Sequence, residues 1–155
     1  VSGSAIDRLS ELGLQLPPVP TPAAAYRPWV RSGELVLTAG QLPLVDGGLA
    51  RTGQLGAALT TAEGAAEART AALNLLAVGA EAFGTLEAFR VVKLVVFVAS
   101  AEGFTEQHLV ANGASELLGA VLGDAGVHAR SAVGVAALPL DAPVEVEAIL
   151  ASGSS

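Results

Sequence analysis

The sequence predicts an α+β fold, a mixed β-sheet with two helices packed on one face. Three observations carry that expectation. A helix opens at Thr60 with Glu63 completing a Thr-x-x-Glu capping box, and a second helical stretch runs from about Thr105 to Leu122. The segment Arg90 to Val98 is almost wholly apolar, as befits a central strand covered on both faces. Shorter strand-like segments bounded by turn residues flank these elements, giving the order β-β-α-β-α-β-β.

Taken in order, Ile6, Leu9 and Leu12 share one side of a short leading helix, and Pro17-Pro18-Val19-Pro20-Thr21-Pro22 then forbids both helix and central strand. Tyr26 to Val30 and Glu34 to Thr38 read as strands joined by Arg31-Ser32-Gly33, a hairpin whose Pro28 implies an edge or a bulge. Asp46-Gly47-Gly48 marks a turn inside a loop that reaches about Leu59. In the Thr60 helix, Glu63, Glu67, Thr70, Asn74 and Glu81 form a polar stripe. Ala65, Ala68, Ala72, Leu76, Gly79 and Phe83 form the buried one, small enough for the backbone to lie close on a sheet.

In the second helix Val110, Ala114, Leu117 and Val121 point inward, while His108, Asn112 and Ser115 share another face. Gly123-Asp124-Ala125-Gly126 ends it. The last two strands, Arg130 to Ala137 and Val144 to Leu150, are connected through Leu138-Pro139-Leu140-Asp141-Ala142-Pro143 and are expected to pair. Residues 1–24 form a lead-in, 25–151 a single domain and 152–155 a tail.

Composition excludes several function classes. Of 155 residues, 52% are hydrophobic and 15% charged, so disorder is excluded, and so little charge implies either a large interior or apolar surface buried by subunit association, the second being the more attractive at this length. With no cysteine, disulfides, thiol nucleophiles and cysteine-bound zinc are impossible. A net charge of -7 with scattered arginines argues against a nucleic-acid partner. No apolar run suffices to cross a membrane and no signal peptide is apparent, so a cytoplasmic location is the default expectation. His108 and His128 lack metal-ligand spacing and no Gly-x-Ser-x-Gly elbow exists, so neither a metal centre nor a serine hydrolase is expected.

Chemistry concentrates near the end of the chain. As a strand, Arg130 shares a face with Ala132, Gly134 and Ala136, which leaves space beside a long cation, while Ser131, Val133, Val135 and Ala137 read as core. A guanidinium offers a planar fork that takes a carboxylate in two hydrogen bonds; pairing with Glu145 or Glu147 is the structural alternative. Those two glutamates share a face of the last strand.

The stretch Arg130-Ser131-x-Val133-x-Val135-x-x-Leu138-Pro139, followed by Val144-Glu145-Val146-Glu147-Ala148, resembles the signature of the RidA/YjgF family of reactive-intermediate deaminases, also described as an endoribonuclease group. Tyr26 with Thr38-x-Gly40-Gln41-Leu42-Pro43, Val95-Val96-Phe97-Val98 and Phe104 fit the rest of the pattern. The resemblance implies a chorismate-mutase-like fold assembled as a homotrimeric barrel, with active sites in clefts between subunits. It implies cofactor-independent hydrolysis of small 2-imino or enamine acids to 2-keto acids and ammonium.

By the same resemblance Arg130 would clamp the substrate carboxylate and Glu145 would position the attacking water. Tyr26 and the Gly40 backbone would close the pocket from the adjoining subunit, and the backbone near Ala132 would accept a hydrogen bond from the imine nitrogen. Phe104 would line the site. The family's asparagine falls on His108, with Asn112 one turn further along; Ala132 replaces the usual cysteine and Ala39 a serine. Two alternatives stay open: a trimer that binds a carboxylated metabolite without turning it over, and a ribonuclease, which the acidic charge disfavours.

Overall fold

The computed structural model describes residues 3–21 and 24–153, so Pro22 of the proline-rich segment and the final Ser154-Ser155 of the expected tail lie outside the described residues. The first helix, α1, spans Ala5–Glu11 behind a Ser4 cap whose hydroxyl accepts from the Asp7 N–H. Its buried residues are Ala5 and Leu9, while Ile6 and Leu12 are exposed, so the expected stripe is displaced around the helix. Long-range polar contacts set that rotation: Arg8 Nε donates to Val121 O at 2.7 Å, and the Glu87 carboxylate accepts the Ala5 N–H.

Strands β1 (Trp29–Ser32) and β2 (Leu35–Thr38) form the expected hairpin, shifted along the chain. Pro28 has no N–H to give, and the ladder begins one residue later. Gly33 at φ 61° supplies the positive φ of the two-residue turn. Tyr26 therefore lies outside the strand and is exposed. Around Asp46-Gly47 a small hairpin appears, β3 (Leu44–Val45) with β4 (Gly48–Leu49), too short to leave a periodic signal.

Helix α2 (Thr61–Phe83) carries the full capping box at Thr60 and Glu63, and its small residues sit against the sheet and against α3 (Gln107–Leu122). Gly113 of α3 lies so close to the Ala65 backbone that a side-chain carbon there would overlap the Ala65 carbonyl, which lets the two helices cross in near-contact. Val110, Ala114, Leu117 and Val121 are all fully buried, as their spacing predicts. Glu67 is not solvated as its place in the polar stripe suggested. It is 3% exposed and takes Arg51 Nη1 on Oε1 at 2.7 Å, because the loop carrying Arg51 folds over this side of α2.

The main sheet has the order β1-β2-β7-β5-β6, with β5 spanning Phe89–Ala99, β6 Ala129–Val135 and β7 Val144–Ser152. The final two strands are not neighbours. β6 leaves α3 and pairs parallel with β5 at the sheet edge, whereas β7 inserts between β2 and β5, antiparallel to both. The expected β6–β7 pairing is thereby corrected: the β5–α3–β6 crossover places β6 on one side of β5, and the loop after β6 carries the chain across to the other.

Both helices cover one sheet face, where Val36, Val91, Leu94, Val96, Val98, Val144, Val146 and Leu150 are buried. The other face presents Val30, Leu35, Leu37 and Val133 as exposed apolar side chains beside the half-buried Val95, Phe97 and Ile149. A contiguous apolar face of this kind is uncommon on a solitary soluble chain. Among the described residues no helix is long and apolar enough to cross a membrane.

Candidate functional site

Register decides where the two signature charges stand. Arg130 pairs with Leu94, whose side chain is fully buried toward the helices, so Arg130 projects to the helix side. Glu145 pairs with Phe97 and Glu147 with Val95, three places and one place from Leu94, which puts both carboxylates on the open face. Within one chain Arg130 and Glu145 therefore lie on opposite faces of the sheet. The expected sharing of a face by Glu145 and Glu147 holds, but Ser131 and Val133 belong to the open face and not to the core.

Arg130 is held by α3. Its Nη1 donates to Asn112 Oδ1 at 2.9 Å and to Ser115 Oγ at 3.1 Å, and its Nη2 donates to the His108 carbonyl oxygen at 3.2 Å. Asn112 thus meets the arginine through its side chain, whereas His108 contributes backbone and leaves its imidazole exposed. Three of five guanidinium donors are occupied, all by neutral acceptors. Nε–H and one Nη2–H have no partner among the described residues, and these neighbouring nitrogens can offer a carboxylate two hydrogen bonds.

The space expected beside the small residues of β6 is partly taken. A side-chain carbon at Gly134 would meet Gln107 Nε2 at 2.9 Å and Ser100 Oγ at 3.0 Å. Gln107 donates to Ser100 Oγ and to the Phe104 carbonyl, and Gln54 donates to the backbone oxygens of Ser100 and Ala136. Ala132 and Phe104 are partly buried against the core. These glutamines carried no motif in the sequence, and only the crossover brings them to the β6 row.

Glu145 belongs to a second group. Its carboxylate lies over Gly40, where an added methyl would overlap it, so the glycine provides the space the glutamate fills. Gly40 sits between Thr38 and Gln41, both of which bond β7: Thr38 Oγ1 accepts the Ala148 N–H, and Gln41 exchanges two backbone hydrogen bonds with Val146. Burial pushes the Glu145 carboxyl above its ordinary pKa, and the neighbouring Glu147 charge pushes it further the same way. Tyr26 and Gly40 line one cleft of about 780 Å³, walled by Pro17, Pro18, Leu42 and Leu73. Asn74 shapes its floor by donating to the carbonyls of Leu42 and Leu44.

Two expectations follow from this geometry. The raised Glu145 pKa means that the folded chain binds this proton more tightly than the unfolded chain, so the ionised carboxylate opposes folding. Stability tied to the group is present below the unfolded pKa and is lost as pH rises through the folded one. Glu145→Gln is expected to melt above the wild type at neutral pH, with the gap closing in acid; equal melting curves at both pH values would contradict the assignment. Gly40→Ala is expected to change the melting temperature little, because the φ there suits alanine and the carboxylate can swing aside.

The chain matches the YjgF/chorismate mutase-like family over residues 6–150. It is 50% identical to the protein TCP17 of Trypanosoma cruzi over 151 residues, 96% of this chain and 94% of that one. Among solved structures, it superposes on Atu1372 of Agrobacterium tumefaciens, a protein of unknown function, with a TM-score of 0.89 and 45% identity, covering 96% of this chain and 92% of the other. E. coli TdcF with bound serine gives a TM-score of 0.65 at 25% identity, over 88% of this chain and 94% of TdcF. The protein belongs to the YjgF/RidA family and has its chorismate-mutase-like fold.

Proposed function

We propose that the chain forms a homotrimer that hydrolyses small 2-imino or enamine acids to 2-keto acids and ammonium in clefts between subunits. The observation that carries this reading is that Nε–H and one Nη2–H of Arg130, on an edge strand, have no partner among the described residues while Nη1 is bound to α3. Arg130 and Glu145 occupy opposite faces of one sheet, so a site using both needs a second copy of the chain. The apolar open face is the surface such a copy would bury. Serine bound to TdcF is a small carboxylated ligand on a related protein, which agrees with an acid as the thing gripped.

In the proposed reaction an enamine first tautomerises to the imine, and Arg130 fixes its carboxylate in two hydrogen bonds. A water adjacent to Glu145 adds its oxygen to the imine carbon as Glu145 takes one of its protons, and the protonated Glu145 then returns that proton to the nitrogen, giving a neutral carbinolamine. The carbinolamine then collapses: the hydroxyl proton passes through Glu145 to the nitrogen, the C–N bond breaks as the C=O bond forms, and the released ammonia takes a proton from solvent to become ammonium. Glu145 suits proton traffic because its pKa is raised toward working pH. Orientation by Arg130 supplies proximity, and no metal or cofactor enters any step.

The test generates imines enzymatically and follows keto acid and ammonium with wild type, Arg130→Ala and Glu145→Ala, alongside sedimentation analysis of the assembly. Acceleration by wild type that both variants lose supports the proposal. No acceleration over buffer removes it. If 2-keto acids then still raise the melting temperature through Arg130, a binding role takes its place.

A further inference from the structure

The guanidinium of Arg130 stands at the end of a hydrogen-bonded series that leads back into the fold. Nη1 donates to Ser115 Oγ at 3.1 Å, Ser115 Oγ lies 2.9 Å from His128 Nε2, and His128 Nδ1 lies 2.6 Å from the Gly126 carbonyl oxygen. A carbonyl can only accept, so Nδ1 carries the proton that faces it and Nε2 of the neutral ring holds the lone pair. The Ser115 hydroxyl therefore donates to Nε2 and accepts from Nη1. The series ends on a fixed anchor: a side-chain carbon at Gly126 would overlap the Leu118 carbonyl, so this turn sits directly on α3.

From this geometry we infer that Ser115 and His128 are positioning residues that hold the Nη1 end of Arg130 inward and thereby set which edge of the fork meets a ligand carboxylate. The inference rests on the carboxylate-clamp reading of Arg130 and extends it to two side chains that touch no ligand themselves. Asn112 holds the same nitrogen from a second direction, fixing the plane of the fork. His128 and Ser115 are both half-buried and, with Asn112 and the His108 carbonyl, leave Nε and one Nη2 donor as the edge available to an anion. Unlike a carboxylate partner, this neutral support leaves the positive charge uncompensated and free to attract an acid. Arginine keeps its charge at any physiological pH, so only its orientation remains to be controlled.

Two readouts test the inference on the full chain. The first is ligand-free: nuclear magnetic resonance of protein labelled with ¹⁵N-arginine. Slow rotation of the Arg130 Nη groups is expected in wild type and Ser115→Thr, with rotation at least tenfold faster in Ser115→Ala and His128→Ala. The second compares dissociation constants for pyruvate and for pyruvamide, which lacks the anionic group. The preference for acid over amide is expected to fall about tenfold in Ser115→Ala and His128→Ala, to survive in Ser115→Thr, and to be unaffected by Ser115→Ala once Arg130 is alanine. Equal Arg130 dynamics in wild type and Ser115→Ala, or acid and amide weakening together, overturns the positioning role. Should wild type bind neither compound while the Arg130 dynamics still respond as expected, the clamp reading fails and the control of the side chain stands.

Discussion

Arg130→Lys is expected to lower kcat/KM for a 2-imino acid by about 100-fold, although the charge is kept. A hydrogen bond to a charged group contributes about 1.5 kcal/mol or more, and losing the two-point grip removes about 3 kcal/mol in all. Lysine has no planar fork, so it can neither satisfy Asn112, Ser115 and the His108 carbonyl together nor offer two parallel donors outward. Because the acid is held in both ground and transition states, the loss should fall mainly on KM. Steady-state kinetics of the variant at saturating substrate separates the two; an unchanged KM would argue against a carboxylate clamp.

Arg51→Ala is expected to destabilise the chain by about 3 kcal/mol, since it strands the buried Glu67 carboxylate on α2. For a chain of this size that lowers the melting temperature by about 6–12 °C. Arg51 also approaches Glu63 Oε2 at 3.4 Å, but Glu63 is well exposed and that contact adds little. Adding Glu67→Leu to Arg51→Ala should recover most of the loss, because removing the buried carboxylate along with its half-exposed partner leaves no uncompensated charge inside. Thermal melts of the two variants decide it; a single variant that melts with the wild type would mean that the Arg51–Glu67 contact does not stabilise the fold.

The same pair shows where sequence reading stops. Glu67 falls on the polar stripe of a helical wheel, and nothing local tells that a loop sixteen residues upstream returns to cover it. Patterns set by a single element were readable: the Thr60–Glu63 cap, the inward row of α3, the apolar β5 and the Gly33 turn all follow from local sterics and periodicity. Strand order was not. The β6–β7 connection is a short loop compatible with a hairpin, and only the preference of the β5–α3–β6 unit for a parallel crossover moves β7 to the other side of β5.

The candidate site shows the same division. The family signature pointed to Arg130, Glu145, Tyr26 and Gly40, and Gly40 proves to be the place where the Glu145 carboxylate needs room. Asn112 and Ser115 could be placed on one helical face from their spacing, and the structure turns that face to Arg130. Its link onward to His128 depends on the turn at Gly126, which carries no motif. Nor could register within β5 be read in advance, and register alone separates Arg130 from Glu145 across the sheet.

Co-crystallisation with a 2-keto acid tests the central claim most directly. The account predicts an oligomer in which the ligand carboxylate bonds Nε and Nη2 of Arg130 from one subunit, while Gly40 and Glu145 of another close on its carbonyl carbon. A ligand lodged elsewhere, or an Arg130 edge capped by protein groups from the neighbouring copy, would contradict it.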